Sequence, residues 1–215
     1  MAGMHNLSVA KHGHRYYNKV NRQSYDKRKG EIMSVFSSRR VAAAVRTGED
    51  FDIAITSKVD VIFLLYSSIM NIEDYVKKAH KAEKKIFIHM DFVEGVGKDR
   101  AGMEFIKSVG ADGILTTKTN MIRPAKDCGL ITVQRFFIVD SHSVDTAVES
   151  IRIAKPDVVE IMPGVVEKKI REFSQKVSME ILTGGLIEFK EDVDMAIEAG
   201  ATAVSTANRE LWNYR

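Results

Sequence analysis

From residue 33 onward, short apolar runs alternate with stretches in which apolar residues recur every three or four positions. Eight runs read as strands: 41–45, 61–66, 85–92, 113–117, 131–139, 158–162, 179–183 and 203–206. Most are apolar nearly throughout, the pattern of parallel strands covered on both faces. Between them lie helical patterns with start and stop signals. In "NIEDYVKKAHKAEKK", Asn71 stands at the N-cap and Asp74 at the capping-box position, and Ile72, Tyr75, Val76 and Ala79 form one apolar stripe. "SVDTAVESIRIAKP" repeats the stripe with Val144, Ala147, Val148 and Ile151, and Pro156 follows the stop. "EDVDMAIEAG" ends on Gly200, a residue suited to the position after a helix. Eight strand–helix units in about 183 residues predict a small α/β barrel of eight parallel strands, the (β/α)8 TIM-type fold. A doubly wound open sheet is the competing arrangement.

An internal echo favours closure. "VGADGILTT" (109–117) and "AGATAVSTA" (199–207) superpose at an offset of 90 residues, Gly110 on Gly200 and Thr116 on Thr206. The shared unit is a helix end, a short turn, a strand and a terminal hydroxyl. In an eight-strand count these are strands four and eight, half a barrel apart.

Residues 1–32 have no such period. They read as an irregular basic leader or extension, and 33–215 as one barrel domain. The leader holds seven Lys/Arg against two acids, a charge of +5, leaving 25 basic and 27 acidic groups, or −2, in the body. The overall +3 therefore misleads, and the body does not announce nucleic-acid binding through charge. Tyr16, Tyr17 and Tyr25 would suit stacking on bases if the leader is an RNA-touching arm; the plainer reading is a tail upstream of a fresh start at Met33. His12 and His14 lack a third ligand of suitable type, so no metal site is expected. The single cysteine, Cys128, excludes an internal disulfide and a Cys-rich zinc site. No apolar run approaches the ~18 residues of a membrane span, and no signal-peptide pattern opens the chain. A reduced, cytoplasmic protein without membrane contact is expected.

Candidate chemistry gathers at the carboxyl ends of the last two strands. "ILTGGL" (181–186) sets Gly184 and Gly185 where an apolar run stops, followed by Leu186; "AVSTANREL" (203–211) ends its run in Ser205, Thr206 and Asn208. In an eight-stranded barrel the loops after strands seven and eight often hold a phosphate. Glycine lets main-chain N–H groups approach an anion, and the hydroxyls can donate as well. The bland alternative is a tight turn and a helix cap.

These residues also carry a family resemblance. "EIMPG" (160–164), "TGGLI" (183–187), "EDVDMAIEAGA" (191–201) and "STANRELW" (205–212), with "FIHMDFVEG" (87–95), "GILTTKTNMIRPAKDCGL" (113–130) and "QRFFIVDS" (134–141), resemble the glycerol uptake operon antiterminator regulators. The leader and "RRVAAAV" depart from the family pattern. The resemblance implies a TIM-barrel transcription antitermination regulator that senses glycerol 3-phosphate and binds leader mRNA of a glycerol-catabolic operon. It implies no catalytic residues and no cofactor beyond that effector, and it leaves a homo-oligomer open.

Six further residues are candidates for the polyol end of such a ligand: Asp91, Thr116, Lys118, Arg135, Asp140 and Glu160. For four of them a structural role competes: a cap or loop carboxylate for Asp91, an Arg135–Glu160 ion pair, a solvated loop lysine for Lys118. His89 reads as a core histidine, Cys128 as a small buried residue and Trp212 as a seal on the last helix. "KKAHKAEKK" (77–85) is the densest basic run of the body, either an RNA phosphate patch or a solvated helix face. The competing function is a phosphate-site barrel enzyme, an isomerase, epimerase or synthase, with Asp91, Asp140, Glu160 and Lys168 as acid–base groups.

Overall fold

The computed structural model describes Phe36 and residues 40–214. The leader 1–32, its tyrosines and histidines, and Met33 lie outside the described residues. Eight parallel strands close in sequence order: β1 (Val41–Val45), β2 (Val61–Leu64), β3 (Lys85–His89), β4 (Gly113–Thr116), β5 (Ile131–Phe137), β6 (Val158–Met162), β7 (Glu180–Gly184) and β8 (Ala203–Thr206). The β1–β8 pairing, Val41 to Val204 and Ala43 to Thr206, seals the cylinder. The fold is a TIM-type barrel, and the open sheet does not form.

Among the described residues seven helices alternate with the strands: α1 (Gly48–Thr56), α2 (Ile72–Lys81), α3 (Arg100–Ser108), α4 (Thr119–Asp127), α5 (Ser141–Ala154), α6 (Glu167–Lys176) and α7 (Lys190–Glu198). A 3-10 turn, Arg209–Asn213, follows β8. Strand residues alternate between two cores. Ile62, Leu64, Ile86, Ile88, Val159 and Ile161 pack outward under the helices. The intervening residues face the axis: Phe63, Phe87, Leu115, Val133, Val158 and Leu182 are all buried. Phe36 closes the amino-terminal end, its ring centroid 6.2 Å from Phe63 and 5.4 Å from Phe87. Gly113 leaves room there, since a Cβ would collide with the Phe87 ring.

Helix caps differ in places from expectation. Asn71 holds the N-cap position of α2 but caps no helical N–H; its side-chain carbonyl accepts from the Ser68 N–H at 2.9 Å, and no capping box forms with Asp74. Reciprocal boxes form instead at α1, between Thr47 and Asp50, and at α5, between Asp140 and Ser143. Gly110 and Gly200 end α3 and α7 with φ of +91° and +108°, so the two halves of the sequence echo share a backbone conformation. Several strands stop short of their apolar runs. β3 ends at His89 and not at residue 92, and β2 ends at Leu64 and not at 66. Trp212 is buried, and its indole N–H donates to the Thr206 carbonyl at 2.9 Å, pinning the end of β8. Among the described residues no helix is long and apolar enough to cross a membrane.

Candidate functional site

A cavity of about 610 Å³ opens at the carboxyl ends of the strands. Its wall includes Gly185 and Leu186 after β7, Ser205, Thr206 and Asn208 around the end of β8, and Arg135 from β5. Six of the sequence candidates therefore meet there. Arg46 joins them from the loop after β1, and Glu188 and Glu210 stand at the rim. Sequence reasoning passed over Arg46; its signal was a lone cation directly after the apolar run 41–45.

The backbone around the cavity is unusual. Gly185 and Leu186 are consecutive left-handed residues, with φ of +75° and +62°. A bulky residue accepts that conformation only where its surroundings enforce it. Two contacts do so here. The Gly164 N–H donates to the Gly185 carbonyl at 3.1 Å, and the Thr206 hydroxyl donates to the Ile187 carbonyl at 2.8 Å. The Asp192 carboxylate then accepts from the Glu188 and Phe189 N–H groups, both at 2.9 Å, and sets the start of α7.

The polar side chains of the loop are already engaged. Thr206 Oγ1 also accepts from the Asn208 N–H at 3.0 Å. Asn208 donates from Nδ2 to the Glu188 carbonyl at 2.8 Å and accepts at Oδ1 from the Glu210 N–H at 3.1 Å. The Ser205 hydroxyl donates to Glu160. Among the described residues that line the cavity, main-chain amides and the two arginines are the donors suited to an anion.

Beneath the cavity a charged network fills the upper barrel. Arg135 and Glu160 are register partners on β5 and β6, and Arg135 Nε donates to Glu160 Oε2 at 2.6 Å. Glu160 is fully buried and Arg135 is 8% exposed. Arg135 Nη1 lies 3.4 Å from His89 Nε2. Burial, and then the neighbouring Arg135 charge, push the His89 imidazole down to about 4, so it is neutral near pH 7. A neutral ring whose Nε2 accepts carries its proton on Nδ1, and that buried atom has no hydrogen-bond partner among the described residues. The ring also stacks on Phe92, with centroids 4.8 Å apart and planes at 17°. Gly184 makes the network possible. A Cβ there would collide with the Ser205 hydroxyl and come within 2.8 Å of Glu160 Oε1.

The remaining candidates sit elsewhere. Asp91 is spent on β4: it accepts from the Thr116 hydroxyl at 2.6 Å, the Thr117 N–H at 2.8 Å and the Thr117 hydroxyl at 2.7 Å. Burial acts to raise the Asp91 carboxyl, but the bonds from Thr116 and Thr117 outweigh it and hold it below the ordinary range. Lys118 occupies the N-cap position of α4. Asp140 caps α5, accepting from the Ser143 N–H at 2.7 Å, and that bond lowers its pKa. None of these four, Thr116 included, lines the cavity. Lys168 is exposed on α6, and Lys169 pairs with Glu172 at 2.9 Å. Cys128 is half-buried against the outer core.

The basic run 77–85 is largely committed within the fold. Lys77 pairs with Glu73 and Lys85 with Asp112, while buried Lys84 donates to the Ser57 and Val59 carbonyls at 2.9 and 2.6 Å. Lys78 and Lys81 remain exposed.

The sequence model of the family described as "Glycerol-3-phosphate responsive antiterminator" matches residues 41–212, the whole barrel and the cavity with it. The chain belongs to this family. The antiterminator assignment agrees with two solved structures. A glycerol uptake operon antiterminator regulatory protein from Listeria monocytogenes is 30% identical with a TM-score of 0.79, over 84% of this chain and 98% of that one. A glycerol uptake operon antiterminator-related protein from Thermotoga maritima is 34% identical with a TM-score of 0.73, over 81% and 98%. The uncharacterized protein YgcP of Escherichia coli K12 is 35% identical over 182 residues, 84% of this chain and 95% of its own length. Sugar-phosphate enzymes such as the N-acetylmannosamine-6-phosphate 2-epimerase of Clostridium perfringens, 10% identical, share the fold alone with this chain.

Proposed function

We propose that the protein is an antitermination regulator whose cavity binds glycerol 3-phosphate, and that the loaded form binds leader mRNA of a glycerol-catabolic operon. The observation that carries this reading is the left-handed pair Gly185–Leu186 at the mouth of the cavity, inside the segment that the antiterminator family matches. A turn of this kind, opened by a glycine, can bring main-chain N–H groups close to an anion, a concavity suited to a phosphate. Arg46, on the loop beside β8, supplies the charge that such a dianion needs. Arg135 faces the remainder of the ligand.

RNA enters as a second partner whose affinity the effector sets. A ligand shifts an equilibrium only by its differential affinity for the two states, so RNA and glycerol 3-phosphate must each tighten the other. The test is a titration of leader RNA, at several salt concentrations, with and without sn-glycerol 3-phosphate. The expected outcome is tighter RNA binding with the effector, and a log–log salt slope of about −0.7 per phosphate neutralised. RNA affinity indifferent to the effector, together with turnover of a triose or glycerol phosphate, would establish an enzyme in its place.

A further inference from the structure

We infer that Ser205 is the residue by which the cavity tells a hydroxyl-bearing phosphate ester from one without hydroxyls, with Glu160 as the positioning residue that fixes its proton. This rests on the phosphate reading of the same cavity.

Ser205 lines the cavity, yet its hydroxyl proton points away from it, into the bond to Glu160 Oε1. The direction of that bond follows from the neighbours. Glu160 is buried and holds Arg135 through its other oxygen at 2.6 Å, so as a carboxylate it has no proton to give. Gly184 leaves no Cβ that would separate the two groups. With its proton committed, Ser205 Oγ offers the cavity lone pairs only. A phosphate oxygen, itself an acceptor, gains nothing from such an atom. A ligand O–H does, because it can donate.

Arg135 provides the complementary half. Its guanidinium is braced by Glu160 at Nε and by His89 at one terminal nitrogen, while the residue still lines the cavity. Guanidinium N–H groups only donate. One acceptor and one donor, both held from behind, match an alcohol, which gives and receives a hydrogen bond at one oxygen. A ketone oxygen satisfies the arginine and leaves Ser205 unpaired, and a bare alkyl chain satisfies neither. An acceptor left dry in this way is the kind of penalty by which buried polar sites reject analogues. The proposed effector, a short polyol monophosphate, meets both demands when its phosphate sits at the β7 loop and a hydroxyl reaches Ser205 and Arg135.

Calorimetric titrations of the full chain with four probes test this: sn-glycerol 3-phosphate, dihydroxyacetone phosphate, propyl phosphate and inorganic phosphate. The wild type is expected to prefer them in that order among the three esters. In Ser205→Ala the preference for sn-glycerol 3-phosphate over propyl phosphate falls by about tenfold, the loss of one hydrogen bond, while inorganic phosphate binds within about twofold of wild type. Ser205→Cys keeps the side-chain shape with a somewhat larger atom that accepts poorly, and is expected to lose discrimination likewise. In Glu160→Gln an amide can donate to Ser205 and release its O–H toward the cavity, so dihydroxyacetone phosphate gains on sn-glycerol 3-phosphate. Wild-type discrimination retained in Ser205→Ala overturns the inference. So does a Glu160→Gln variant in which every probe, inorganic phosphate included, weakens alike. A wild type that binds inorganic phosphate and treats all three esters equally overturns the inference and spares the phosphate site. A wild type that binds none of the four overturns both.

Discussion

The mouth of the barrel has two ends built on one plan and finished differently. At the β3–β4 end, Thr116 closes β4, accepts from the Lys118 N–H two residues on and donates back to the preceding loop. At the β7–β8 end, Thr206 closes β8, accepts from the Asn208 N–H two residues on and donates back to the preceding loop. The difference is what receives the hydroxyl. Thr116 meets the side chain of Asp91, whose carboxylate draws in three donors and fills that end with a fixed negative charge. Thr206 meets a main-chain carbonyl, that of Ile187, and the loop above it keeps its left-handed turn at Gly185 and Leu186. One repeat is stapled shut by a carboxylate. The other is held open by its backbone, and the cavity lies there.

The sharpest way to break this contrast is to damage the open end. Gly185→Val puts a β-branched residue at a φ of +75°, with a Cβ only 3.1 Å from the Met162 methyl. Affinity for sn-glycerol 3-phosphate is expected to fall at least about 100-fold while thermal unfolding stays cooperative, since the strain is local. Calorimetry and a melting curve on the same sample check both halves.

Damage to the stapled end should do the reverse. Asp91→Ala strands the partners Thr116 and Thr117, at a cost of about 2 kcal/mol in chemical denaturation, with effector affinity changed by less than about threefold. Ligand binding lost along with stability in this variant would erase the distinction between the ends.

Acid probes the floor that joins them. With a folded pKa of about 4 against an ordinary 6.5, His89 takes up its proton more readily in the unfolded chain. Its contribution is thus present at neutral pH and lost as pH falls between those two values. From pH 7 to 5 the wild type should lose about 2 kcal/mol through this group, and His89→Gln should lose correspondingly less. Denaturant midpoints at the two pH values give the comparison.

The smallest effects compare the twin threonines. Thr116→Val and Thr206→Val should each cost about 1 kcal/mol, since each removes hydroxyl bonds at a strand end. Only Thr206→Val should also weaken sn-glycerol 3-phosphate, by a few-fold, as measured by calorimetry.

The strands were legible because burial on both faces writes them as continuous apolar runs, and the echo of 109–117 in 199–207 is realised in paired helix ends and paired threonines. Strand ends were less legible. Hydrophobicity continues past the last ladder bond, as in 85–92, where Phe92 is 62% exposed and stacks on His89 beyond the end of β3. Six of the twelve site candidates converge on the cavity because strand ends and glycines are local signals. The role of Asp91 was hidden because its partners Thr116 and Thr117 lie 25 and 26 residues on. The Ser205–Glu160 bond spans 45 positions, and nothing local in either segment announces which way its proton points.

Far below the cavity, Phe36, Phe63 and Phe87 stopper the opposite end of the cylinder. With the base corked by these rings, the cavity at the other end is the approach that the described residues leave to the upper barrel. A small molecule held in the cavity would leave by the same mouth, so crowding there would lengthen residence as well as hinder arrival.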